Sequence, residues 1–126
     1  MNRLIGVVAV VSAAGVLLAP FAHADDGWVA AASSPSHESS EKVWGLDQAD
    51  AESRALAQCA VLERARDCVL LASGPDCVAI AWDGDQPINH VHGASGGGRD
   101  VVIQAAMAAA GPYANDQSAR CSWDPH

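Results

Sequence analysis

The stretch Ile88-Asn89-His90-Val91-His92 sets two imidazoles two positions apart. On a strand that spacing puts both on one face, where they can share a metal ion. Asp83 and Asp85, in the Asp-Gly-Asp turn just before, would bring carboxylate oxygens toward the three or four ligands of a zinc centre. A small metal-assisted hydrolase built on His90 and His92 is the enzymatic reading this allows. The plainer reading is a strand face with two solvated imidazoles beside an Asp-Gly pair chosen for its turn backbone. The plainer reading is favoured, so no metal and no other cofactor is expected.

Other groups with reactive potential are weaker. Ser73 beside Gly74 lacks a surrounding Gly-x-Ser-x-Gly. Gly93-Ala94-Ser95-Gly96-Gly97-Gly98 has the loose backbone of a phosphate loop but no following Lys-Ser or Lys-Thr, and reads as a hinge. Trp28, Trp44, Trp82 and Trp123 could stack on sugars, yet each adjoins an expected strand, where filling a small core is the commoner use. No catalytic residue is assigned, and the sequence leans away from an enzyme.

Cys59, Cys68, Cys77 and Cys121 depend on compartment for their meaning. Arg3 followed by the apolar run from Leu4 to Ala19, and then Ala22-His23-Ala24, follow the plan of a signal peptide cleaved between Ala24 and Asp25. The run is short for a membrane span, so no stable membrane anchor is expected. Residues 25–126 then form a single exported domain, with four cysteines that outside the cytosol read as two disulfides. Zinc ranks below this because no Cys-x-x-Cys occurs. Losing Arg3 takes the formal charge from −8 to −9, with 15 carboxylates against Lys42, Arg54, Arg64, Arg66, Arg99 and Arg120. Phosphate backbones and anionic lipid surfaces repel such a chain, so nucleic acid is not an expected partner.

Periodicity then places the elements. Gly27–Ser33 and Glu41–Leu46 read as strands flanking a Ser-rich turn. Asp47 is an N-cap for a helix to Leu62 with Ala55, Leu56, Cys59 and Leu62 on one face. Cys68–Ser73 and Cys77–Trp82 are short apolar strands joined through Gly74-Pro75 as a hairpin. After Ile88–Gly93 comes a second helix from Arg99, with Val102, Ala105, Ala106 and Ala109 at helical spacing, stopped by Gly111-Pro112. Ala119–Trp123 is the last strand. The order is strand, strand, helix, strand, twice over. We expect an α+β fold from an internal duplication, its two units closing one core with helices packed on a mostly antiparallel sheet. Ala55–Ala60 aligns with Ala106–Gly111, so Ala110 takes the place of Cys59, and Cys68 and Cys121 each open the strand after a helix.

Four cysteines allow three connectivities. In a hairpin about Gly74-Pro75, Cys68 lies roughly four positions, on the order of 13 Å, from the residue opposite Cys77, which excludes that pair. Cys59 with Cys68 and Cys77 with Cys121 is preferred, because Ala110 leaves Cys121 without a partner in its own unit. Cys59 with Cys77 and Cys68 with Cys121 remains the alternative.

The strand GWVAAASS, the Trp44-Gly45 strand, the helix AESRALAQC and the cysteines opening CVLLAS and CVAIAW resemble the bacterial domain of unknown function 4189, over about residues 27–123. The chain departs from that pattern at Ala110, where the family's second helix commonly ends in a cysteine, and this puts a third disulfide in doubt. The resemblance implies a secreted, disulfide-containing bacterial domain and carries over no activity, cofactor or catalytic residue. The expected function is a non-catalytic interaction module, with a protein or glycan partner at the cell envelope or outside it.

Overall fold

A computed structural model describes residues 27–37, 39–84 and 90–125, so the signal segment lies outside the described residues. The elements are β1 (Trp28–Ser34), a 3-10 turn (Pro35–His37), β2 (Ser39–Gly45), α1 (Gln48–Glu63), β3 (Val69–Gly74), β4 (Cys77–Asp83), β5 (His90–Gly96), α2 (Arg99–Ala110) and β6 (Ala114–Cys121). This is the α+β order expected, two strand-strand-helix-strand units in succession. No helix among the described residues is long and apolar enough to cross a membrane.

Helix α1 starts where Asp47, in extended conformation, accepts a hydrogen bond from the Asp50 amide at 2.9 Å. The Asp50 carboxylate in turn accepts from the Leu46 amide at 2.8 Å, so two donors at the helix entrance are satisfied. Arg64 ends it in the left-handed region at φ 51°. Its buried stripe is Ala51, Ala55 and Cys59, and that of α2 is Val102, Ala106 and Ala110. Both stripes run i, i+4, i+8, and the narrowness comes from small side chains that let each helix lie close to its sheet. Leu62, Ala105 and Ala109, expected on those inner faces, are exposed, because the stripe is only one residue wide per turn.

Two three-stranded antiparallel sheets carry the helices, in orders β2-β1-β3 and β5-β4-β6. The expectation of one sheet and one core is corrected here. The central strands β1 and β4 bury both faces. Ala30 and Ala32 pack with Val43 under α1, Ala79 and Ala81 pack under α2, and Val29, Ala31, Val78 and Ile80 meet between the sheets. The layers are therefore helix, sheet, sheet, helix, with three apolar seams. Full burial of Val29, Val78 and Ile80 between the sheets contributes roughly 1.5–3 kcal/mol each over an exposed position. The hairpin expected between Cys68–Ser73 and Cys77–Trp82 does not form: β3 and β4 belong to different sheets, and Pro75-Asp76 carries the chain from one to the other.

The units share their pairing registers. Trp28 lies opposite Gly45 as Cys77 lies opposite Gly96, and Val29 lies opposite Gly74 as Val78 lies opposite Arg120. The irregularity between β1 and β3 follows Ala31, and that between β4 and β6 follows Ile80, the matching position. Gly45 and Gly96 each lie six residues before the first buried helix position. A Cβ on Gly45 would fall 2.3 Å from the Ala51 amide nitrogen, and one on Gly96 3.1 Å from Val102 Cγ1. Glycine is what allows each helix to close on its sheet.

Disulfides join Cys59 to Cys68 and Cys77 to Cys121, the preferred connectivity, though two of the reasons for it change. The pair Cys68 and Cys77 is separated by sheet membership rather than by hairpin offset. Cys121 also finds its partner within its own unit, since Cys77 opens the first strand of that unit and lies directly opposite it across the β4–β6 ladder. Cys121 closes its strand rather than opening it, because β6 begins five residues earlier than expected, at Ala114. It is therefore not the counterpart of Cys68, which precedes β3.

Candidate functional site

In the β4–β5 ladder Asp83 lies opposite His90 and Ala81 opposite His92, so Asp83, His90 and His92 share the face that carries Ala79 and Ala81. His90 is exposed. His92 is half-buried, and its Nε2 is shielded from solvent with no hydrogen-bond partner among the described residues. Asp85 lies outside the described residues. Among the described residues no three His, Cys, Asp or Glu side chains are gathered closely enough to hold a metal ion.

Ser73 is occupied in joining layers: its hydroxyl donates to Glu52 Oε2 on α1, which holds that carboxyl below its usual range. The expected Gly-rich hinge is largely strand, since Gly93 to Gly96 belongs to β5. There a Cβ on Gly93 would fall 2.8 Å from Leu71 Cβ. None of the tryptophans is fully buried, though Trp28 packs against the core under α1 and Trp44 against the layer between the sheets, so the expectation that most fill the core holds only in part. Trp28, Trp44 and Trp82 are half-buried and Trp123 is 60% exposed, because seams of Ala, Val and Cys leave no depth for an indole.

A Ser, His and Asp cluster not singled out in the sequence forms at the end of β1. The buried Ser34 hydroxyl donates to Asp67 Oδ1 at 2.6 Å, and the Ser36 amide donates to Asp67 Oδ2 at 2.9 Å. His37 Nδ1 lies 3.0 Å from both the Ser34 and Ser36 hydroxyl oxygens. A nucleophilic serine needs its proton directed at a base that will take it. Here the proton is directed at Asp67, whose carboxyl these bonds, that from Ser34 foremost, lower to about 2. The cluster clamps the 3-10 turn onto the loop after α1. Next to it Ser33, Ser34, Pro35, Val69, Leu71 and Trp82, with His90 and Val91, line a mostly apolar cavity of about 170 Å³.

A cluster of cations lies at the opposite edge of the sandwich, where edge strand β2 meets edge strand β6 beside α1. Lys42, Val43, Trp44, Arg54, Ala57, Gln58 and Arg120 line an open cavity of about 520 Å³. Lys42 Nζ donates to Ser118 Oγ at 2.8 Å. Trp44 Nε1 donates to the Cys121 carbonyl at 3.0 Å, and the Arg120 guanidinium stacks 4.2 Å from the centre of the Trp44 ring. Arg120 Nη1 also donates to the Lys42 carbonyl. Burial, and then the Arg120 charge, push the Lys42 ammonium below its usual range. Arg54, which also lines the cavity, pairs with Asp50 one turn earlier on α1, at 3.1 Å. Three of the six cations named above are thus gathered in one place. Sequence reading missed this because they are far apart along the chain and each is unremarkable alone.

Comparison with protein-family models, with curated proteins and with solved structures returned no match.

Proposed function

We propose that the chain is an exported, disulfide-stabilised interaction module that acts by binding a protein or glycan at the cell envelope or outside it. The observation that carries this is that all four cysteines are consumed in two cross-links, one within each unit. A reducing compartment does not sustain such a framework. The signal-like start and the resemblance to domain of unknown function 4189 support the same reading. The two serines with carboxylate partners support it too, because Ser34 and Ser73 direct their hydroxyl protons at Asp67 and Glu52. Equal registers in the two units support an internal duplication.

Mass spectrometry of culture fluid and envelope fractions tests the reading. The expected species begins at Asp25 and takes up no thiol reagent before reduction. A chain retained with its apolar start, or recovered with four reactive thiols, overturns it.

A further inference from the structure

The shared registers make each residue of one unit comparable with one of the other. Trp28 matches Cys77 and Gly45 matches Gly96, so Lys42 matches Gly93 and Trp44 matches Ser95. On the third strand Gly74 matches Arg120. The sandwich has two lateral seams, β5 against β3 and β2 against β6, and at the first glycines pack against Leu71 and Ser95. There Gly93 lies against Leu71, and a Cβ on Gly74 would fall 3.1 Å from Ser95 Cβ. At the second seam Trp44, Arg120 and Lys42 occupy the matching positions, and the seam opens into the cavity of about 520 Å³. The first seam forms with no charged residue at these matching positions, so packing alone does not require this set.

Edge protection explains part of it, since Arg120 occupies the β2 edge carbonyl of Lys42. It does not explain why two cations are set together at a cost to Lys42, in a cavity that Arg54, paired with Asp50, also lines. Among the described residues neither Lys42 nor Arg120 is within ion-pair distance of a carboxylate. The nearest acidic neighbour in the chain, Glu41, is raised by burial and by the nearby Glu63 carboxylate on α1, against the lowering effect of Lys42. Lys42 keeps two ammonium hydrogens after bonding Ser118, and Arg120 keeps guanidinium donors besides the one on the Lys42 carbonyl. The acidity of the whole chain is felt weakly here, because at physiological salt charges beyond about 8 Å are largely screened.

We infer that the seam between β2 and β6 is a binding site for a small tetrahedral oxyanion, the phosphate or sulfate group of a ligand, held by Lys42, Arg54 and Arg120 beside Trp44. Three donors arriving from three elements suit a group with oxygens pointing in several directions better than a planar carboxylate, which one guanidinium fork would hold. This deepens the interaction-module reading by naming a ligand class.

Calorimetric titration of the oxidised protein with inorganic phosphate, sulfate and glucuronate, each against a chloride background, tests it. The expected result is saturable 1:1 binding of both tetrahedral anions, tighter than glucuronate, with the Trp44 indole N–H resonance shifted on binding. Lys42→Gln should weaken binding about tenfold, the scale of one lost charge-assisted hydrogen bond. Arg54→Gln, on an exposed helix turn where folding is not at stake, should weaken it about threefold, as expected of a partly screened charge. Arg66→Gln, outside the seam, should leave it unchanged. No saturable binding by the folded protein overturns the assignment, as does equal weakening by Arg66→Gln or a preference for glucuronate. Failure here leaves the N-terminus and thiol state untouched, so it is distinguishable from failure of the exported-module reading.

Discussion

Ser34 stands between an imidazole and a carboxylate, and its one hydroxyl hydrogen decides what the trio can do. Because that hydrogen is directed at Asp67, the group stores pH-dependent stability instead of nucleophilicity. The Asp67 carboxyl falls from an ordinary 3.8 to about 2 in the folded chain, so the folded state favours the ionised form. Its contribution is fully present above about pH 4 and is lost as pH falls through about 2. Asp67→Asn should therefore lower stability at neutral pH, and the gap between variant and parent should narrow over that acid window. Thermal unfolding scanned from pH 7 to 2 measures it, and parallel curves would show that the Ser34 and Ser36 bonds are not specific to the anion. No sequence pattern announced this cluster, because Asp67 is more than thirty residues from Ser34. The seam cations were hidden in the same way: their chemistry lies in their convergence, which only the pairing of β2 with β1 and of β6 with β4 creates.

At the scale of elements, local signals were legible and two-faced ones were not. Asp47 before α1 and Gly111-Pro112 after α2 act on the backbone next to them, so both helix boundaries could be read within a residue or two. The number of sheets could not, because Val29 to Ala32 is apolar on both faces and a single strand does not reveal whether its second face meets a helix or another sheet. The start of β6 was missed because Ala114–Ser118 is polar, as befits an edge strand with one wet face. The disulfides differ in what they constrain. The Cys59–Cys68 link spans 9 residues and the Cys77–Cys121 link 44. By loop closure these contribute roughly 2 to 3 and about 4 kcal/mol respectively. Replacing Cys77 and Cys121 together by Ala should cost about 1 kcal/mol more than replacing Cys59 and Cys68, read from guanidinium unfolding midpoints at equal slope. The reverse order would mean that native packing about Cys59, rather than chain entropy, dominates.

For the molecule as a whole, the layer between the sheets is the one part of the core that neither unit owns. Val29 and Ala31 come from the first and Val78 and Ile80 from the second, while each helix is served by its own sheet. Both disulfides also lie inside their own halves, so only the backbone at Pro75-Asp76 binds one half covalently to the other. A single peptide cleavage there would turn one chain into a two-piece assembly held by non-covalent contact alone. Fragments 25–75 and 76–126, oxidised separately and then mixed, should complement each other, with the near-ultraviolet signal of the half-buried tryptophans returning only in the mixture. If either fragment alone gives the full tertiary signal, the shared layer is not what completes the fold. Because the two halves present matching strand registers, each fragment also carries a template for pairing with its own copy. The uncut chain suppresses that homotypic association by keeping the correct partner two residues away.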